Sequence, residues 1–195
     1  LQKERGYSAG YSSSLGRNFR TELAAQREAT DAAILAHVAD RAVLSELAPE
    51  QVATVDDQVE ALAKRRKQID ALALSVPELA GYYTGIIETL MTASNRVRLG
   101  AGGDPGAVLM EAAELVALAK ESAGLERAMG ATGLASYRFV DEVHRRFTDL
   151  GARQRAFLSR AEAVLGQPGF AAALTDAPAA QTLEPMRQTV VSLPY

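Results

Sequence analysis

Two arginines, Arg5 and Arg127, stand in matching surroundings. The first lies in Gln2-Lys3-Glu4-Arg5-Gly6-Tyr7-Ser8-Ala9-Gly10 and the second in Gly124-Leu125-Glu126-Arg127-Ala128-Met129-Gly130-Ala131-Thr132. Each follows a glutamate. Small residues flank each at helical three- and four-residue steps: Gly6, Ala9, Gly10 and Ser13 around Arg5, and Gly124, Ala128, Ala131 and Ala135 around Arg127. Glycine inside a helix costs ~1 kcal/mol against alanine, so its presence beside both arginines asks for a reason, and close packing supplies one. A guanidinium is planar, permanently charged and a two-pronged donor, which suits a small planar oxyanion. Two such groups facing each other repel until an anion arrives, so a site built from them depends on the anion. The competing reading pairs each arginine with a nearby carboxylate on a solvated face, where ion pairs are common and weak.

Other polar side chains carry weaker signals. Arg27, with Gln26 and Thr30, lies on or beside the apolar stripe begun by Phe19 and Leu23. It either lines a pocket or snorkels from the stripe's edge. Arg66 interrupts an apolar seam; it either sets the register of a bundle or reaches to the bundle's end, and the second role is the simpler. His37 and His144 are the only histidines. Glu142 and His144, two residues apart, face different ways on a helix, so the Glu-x-x-His pair of a helical di-iron site is missing. No nucleophile and base fall into a catalytic constellation. The chain has no cysteine, which excludes disulfides and thiolate metal sites. No catalytic residue, metal or cofactor is expected.

The elements that must position these side chains are helices. The 195 residues include 37 Ala and 23 Leu, with aromatics at only 6%, a usage that leans toward helix. With 48% hydrophobic residues and 23% charged, the chain can bury a core. Its formal charge of −3 argues against a nucleic-acid binder, which needs an excess of cations. No apolar run approaches the ~20 residues of a membrane span, and the opening Leu1-Gln2-Lys3-Glu4-Arg5 is not a signal peptide; it reads as the start of a piece excised from a longer protein.

Apolar residues recur in helical stripes: Val52, Val55, Val59, Leu62, Arg66, Ile69, Ala73, Val76; then Tyr83, Ile86, Leu90, Ser94, Val97; then Val140, Val143, Phe147, Leu150, Gln154, Phe157, Ala161, Val164. Breakers at Gly16, Pro49, Pro77, Gly100 to Pro105, Gly166 to Gly169 and Pro178 divide them. Proline is tolerated in a helix's first turn, and Asp104 is suited to cap the helix that Pro105 opens. The expected helices run roughly 1–15, 17–47, 49–75, 77–99, 105–135, 137–165, 168–175 and 178–192. The expected fold is all-α: an elongated up-down bundle of long antiparallel helices, of four-helix-bundle type. Residues 1–195 are expected to form a single helical domain of two pseudo-repeat halves, 1–99 and 104–195, joined by the glycine-rich linker 100–103. The repeat rests on the two Glu-Arg motifs and on Phe19 and Phe139 following at nearly equal distances.

The run Leu1-Gln2-x-Glu4-Arg5-Gly6-x-Ser8, followed by Gly16, Phe19, Leu23, Gln26-Arg27 and Thr30-Asp31, resembles the opening of the NIT domain family, the nitrate- and nitrite-sensing modules of bacterial receptors. Lys120-Glu121-x-x-Gly124-x-Glu126-Arg127-Ala128 is similar to that family's second signature. The middle of the chain, about 48–110, matches in helical character alone. The resemblance implies a non-enzymatic sensor region for nitrate, nitrite or a similar oxyanion, with Arg5 and Arg127 as the sensing arginines; Ser8 and Arg27 are added to them as further candidate ligand-binding residues. It further implies an extracytoplasmic location, with a cytoplasmic one also open, in a membrane-anchored homodimeric receptor with an output such as a histidine kinase. The alternative is a structural helical module for dimerisation or protein interaction without a small ligand.

Overall fold

The computed structural model describes residues 1–39, 41–100, 105–135, 139–175 and 178–192, and nearly all of them are helical, with no strand among them. The chain is all-α and of helical-bundle type. Its contacts divide it into two compact units, Leu1–Gly102 and Gly103–Tyr195.

The first unit contains α1 (Gln2–Ser13), α2 (Arg20–Ala39), α3 (Arg41–Leu47), α4 (Pro49–Glu60), α5 (Leu62–Asp70) and α6 (Val76–Gly100). Helix α1 packs on α2 and α6, and α4 packs on α6. The apolar cluster Tyr11, Leu23, Leu62, Ile69, Leu79 and Tyr83 draws one or two residues from each of α1, α2, α5 and α6. The first turn is longer than the spacing suggests: α1 stops at Ser13 and α2 starts at Arg20, because Leu15, Gly16 and Phe19 all take positive φ (53°, 78° and 65°). That conformation is open to glycine and disfavoured for the other two.

The single helix expected over 49–75 is two, with a turn at Ala61 and an end at Asp70. Nothing in the residues at Ala61 explains the first interruption. The second has a physical cause. Leu72 sits at φ 55°, and Ser75 and Glu78 form a reciprocal cap: the Ser75 amide donates to Glu78 Oε2 at 2.8 Å while the Glu78 amide donates to Ser75 Oγ at 3.4 Å. This Ser-x-x-Glu box fixes the start of α6 at Val76, with Pro77 in its first turn. Pro49 likewise opens α4.

The second unit contains α7 (Pro105–Ala135), α8 (Asp141–Leu165), α9 (Phe170–Thr175) and α10 (Pro178–Ser192). Helices α7 and α8 pair along their lengths, and α9 and α10 pack on α8. Helix α8 ends at Gly166 in the left-handed conformation, φ 61°, as a C-terminal glycine cap requires. It begins at Asp141, four residues after the expected start at 137. Its buried face is His144, Phe147, Gly151, Leu158 and Ala161, which shares only Phe147 and Ala161 with the expected stripe. A histidine and a glycine give no apolar signal, so the periodicity points to a neighbouring face. The proposed cap Asp104, the linker residues 101–103 and the side chain of His37 lie outside the described residues.

Candidate functional site

In the first unit the chemistry gathers on α1. Glu4 is wholly buried, and its carboxylate accepts a two-pronged pair from Arg66 of α5: Nε to Oε1 at 2.7 Å and Nη2 to Oε2 at 3.0 Å. The third arm of that guanidinium, Nη1, donates to Asp31 of α2 at 2.7 Å. The Tyr83 hydroxyl of α6 donates to Glu4 Oε1 at 2.8 Å. Arg66 therefore does not reach to the bundle's end. It lies inside the seam between buried Leu62 and Ile69, held there by a carboxylate from another helix.

Burial opposes the charge on Glu4, yet the hydrogen bonds from Arg66 and Tyr83, with the Arg66 charge, outweigh it and hold its carboxyl below the usual carboxylate range. Burial similarly opposes the charge on Arg66, and the carboxylates of Glu4 and Asp31 overcome it and raise its pKa. Burial, then the Glu4 charge, pushes the Tyr83 phenol up, so at neutral pH Tyr83 is a proton donor toward Glu4.

Arg5 is the next residue on α1 and is also buried. Its Nη1 donates to Thr84 Oγ1 of α6 at 2.8 Å. Consecutive residues of α1, Glu4 and Arg5, are thus bonded by consecutive residues of α6, Tyr83 and Thr84. Ser8, one turn on, is fully buried and near enough to the Tyr83 hydroxyl to affect its titration, but its Oγ makes no hydrogen bond.

Arg27 does not point freely into a pocket. It forms a two-pronged pair with Asp70, at 3.0 and 2.9 Å, and its Nε lies 3.9 Å from Glu4 Oε1. On the outer side it lines an open cleft of about 310 Å³ with Tyr11, Arg20, Leu23, Ala24 and Asp70, in which the Arg20 guanidinium stands 5.6 Å from the Tyr11 ring.

The second unit repeats the central feature. Glu126 is 3% exposed. Arg187 of α10 donates to it by Nε to Oε1 at 2.6 Å and by Nη2 to Oε2 at 2.5 Å, and Arg187 also bonds Gln154 of α8 and Glu184. The hydrogen bond that Arg187 donates to Glu126 is the largest influence on Arg187 and raises its pKa. A Cβ at Gly151 of α8 would stand 2.9 Å from Glu126 Oε1, so the glycine is what lets the carboxylate lie against α8. Arg127, next to Glu126, is exposed.

Arg5 and Ser8 thus lie on one helix of the first unit, near Arg27 through Glu4, whereas Arg127 belongs to the second unit. The small residues near the arginines seat aromatic rings: a Cβ at Gly10 would stand 2.6 Å from the Phe19 ring, and one at Gly130 3.2 Å from Phe147. His144 is a satisfied core histidine, its Nε2 2.9 Å from the Val190 carbonyl and its ring edge-on to Phe139. Among the described residues no group of three or more His, Asp or Glu side chains could hold a metal ion. The residues missed by the sequence reading are Glu4, Glu126 and Arg187. Both glutamates stood in plain view in the Glu-Arg motifs, but their partners lie about sixty positions downstream, and no local pattern links them.

Compared with known families, residues 1–194 match the NIT family model, described as nitrate and nitrite sensing. No curated protein and no solved structure matches the chain.

Proposed function

The chain belongs to the NIT, nitrate and nitrite sensing, family, and from that premise we propose that it is a ligand-binding sensor domain in which the guanidinium groups of Arg5 and Arg127 recognise nitrate, nitrite or a similar small oxyanion. The match along nearly the whole chain is the observation that carries this reading. The chemistry agrees with it. A trigonal anion is matched by the planar fork of arginine, and Arg5, seated beside an anchored carboxylate, has its helix position fixed in advance. Its bond to Thr84 is between a charged donor and a neutral hydroxyl, and an anion is the stronger acceptor. In this reading Ser8 and Arg27 support the site and do not contact the ligand, because Ser8 faces Tyr83 and Arg27 is committed to Asp70.

The role is that of a sensor and not of an enzyme. We place it outside the cytoplasm, as the sensor region of a homodimeric receptor with a histidine kinase or similar output. No helix among the described residues is long and apolar enough to cross a membrane, so anchoring would come from other segments of such a receptor.

Thermal melting of the domain across a nitrate titration tests the binding. A ligand that prefers the folded state raises the melting temperature, by an amount that grows with concentration over Kd. Nitrate is expected to raise it in the native chain, and Arg5→Ala or Arg127→Ala to remove the shift at unchanged helix content. Arg5→Lys should restore it only in part, since an ammonium lacks the planar fork. If nitrate, nitrite and small carboxylates all leave the native curve unmoved, the chain is a structural interaction module instead.

A further inference from the structure

We infer that Arg66 and Arg187 are a matched pair of positioning residues, each locking the rotation of the helix that presents a sensing arginine. This rests on the proposed roles of Arg5 and Arg127 and adds what holds them in place. Glu4 and Glu126 are both buried, and each is gripped by two parallel bonds from one arginine, 62 residues later in the first unit and 61 in the second. The gripping arginines also occupy the same setting. Leu62, Arg66 and Ile69 on α5 have the spacing of Leu183, Arg187 and Val190 on α10. Both forks draw on the helix that follows the Glu-Arg motif: Arg66 donates to Asp31 of α2, and Arg187 donates to Gln154 of α8.

A carboxylate held by both oxygens cannot swing as one held by a single bond can. Successive residues of a helix are about 100° apart around its axis, so fixing the direction of Glu4 or Glu126 fixes where the next residue leaves the helix. Arg5 and Arg127 are those next residues. Neither Arg66 nor Arg187 is free to bind an anion, because Arg66 already donates to Glu4 and Asp31 and Arg187 to Glu126, Gln154 and Glu184. Their charge is spent inside the unit, and their effect on a ligand passes through the glutamates.

An isosteric apolar pair separates positioning from mere stability, because replacing a buried ion pair by hydrophobic side chains often leaves a protein as stable as before. In the intact chain, Glu126→Leu with Arg187→Met, and separately Arg187→Lys, are compared with the native protein by nitrate titration and by spin-label distances. The labels are carried by Lys120→Cys on α7 and Arg153→Cys on α8, both exposed, in a chain with no other cysteine. The expected result is a folded double variant whose nitrate Kd is at least tenfold higher and whose distance distribution is broader, with Arg187→Lys between it and the native protein. A native Kd together with a native distance distribution in the double variant would overturn the inference; so would a raised Kd with unchanged distances, which would make the effect electrostatic. If the native chain binds no nitrate, the sensing proposal fails by itself, and the distances alone then decide whether the grip orients α7. Should the double variant not fold, Arg187→Lys carries the same two readouts, and native values in both overturn the inference.

Discussion

The same substitution, glycine to alanine inside a helix, should have opposite effects at two positions. At Gly81 of α6, which is exposed, an added Cβ meets nothing within 4 Å. The variant gains only the helix propensity of alanine and the lower entropy of its unfolded chain, ~1 kcal/mol. At Gly151 the same gain is available, but the new Cβ would stand 2.9 Å from Glu126 Oε1 and 3.7 Å from Arg187 Nε. The carboxylate must move by a few tenths of an ångström and loosen one or both bonds to Arg187. Bonds to charged groups contribute about 1.5–3 kcal/mol each, so partial loss of two of them outweighs the propensity gain by ~2 kcal/mol. For a chain of this length 1 kcal/mol moves the melting temperature by about 2–4 °C. Gly81→Ala should therefore raise it by about 2–4 °C, and Gly151→Ala lower it by roughly 4–8 °C, as followed by helical circular dichroism. A double-mutant cycle isolates the cause: in a Glu126→Ala background the penalty of Gly151→Ala should vanish. If Gly151→Ala stabilises the native protein as Gly81→Ala does, α8 does not press on the carboxylate and the account of the second unit is wrong.

Other outcomes follow from single features. The Glu4 carboxyl is depressed below its ordinary 4.5, so its contribution to stability is fully present above that pH and is lost as pH falls through the lower folded value; urea midpoints measured from pH 6 downward should fall less steeply below pH 4.5 for Glu4→Gln than for the native chain. Leu72→Gly removes a non-glycine residue from positive φ and should stabilise the protein by ~1 kcal/mol, read in the same urea series. Ser75→Ala removes the hydroxyl that caps α6 and should cost about 1 kcal/mol; in carboxyl titrations by nuclear magnetic resonance, Glu78, whose carboxyl is held down first by the Ser75 hydroxyl and then by the Ser75 amide, should titrate higher in that variant.

Helix content, the prolines that open α4, α6 and α7, and the glycine that ends α8 were all legible from residue types, because caps and breakers act within a few positions. The interruption at Ala61 was not legible, since no residue there differs from those of an uninterrupted helix. Buried Val52, Val55, Leu62 and Ile69 lay on the stripe that periodicity marked, whereas the inner face of α8 escaped because His144 and Gly151 contribute to it without hydrophobicity. The site divides in the same way. Arg5 and Arg127, the arginines proposed to sense, were singled out by two similar motifs. The role of Arg66 was misjudged, and Arg187 was missed, because an arginine within an apolar seam reads as a surface residue until its carboxylate is located on a distant helix. Glycines near the arginines suggested close packing. At Gly10 the space is filled by Phe19, a contact set by the positive φ of Phe19 and by no local pattern.

The pairing of Glu4 and Arg5 with Tyr83 and Thr84 also limits how the first unit can move. Two adjacent residues on one helix meet two adjacent residues on another, as two teeth meet two notches. Sliding α1 along α6 by a single residue, ~1.5 Å, would break both bonds at once, taking Glu4 from Tyr83 and Arg5 from Thr84 together. Translation of one helix past the other is therefore blocked in small increments, while the two can shift together without disturbing either bond. A push delivered to α1 is delivered to α6 as well, and the pair behaves as one strut.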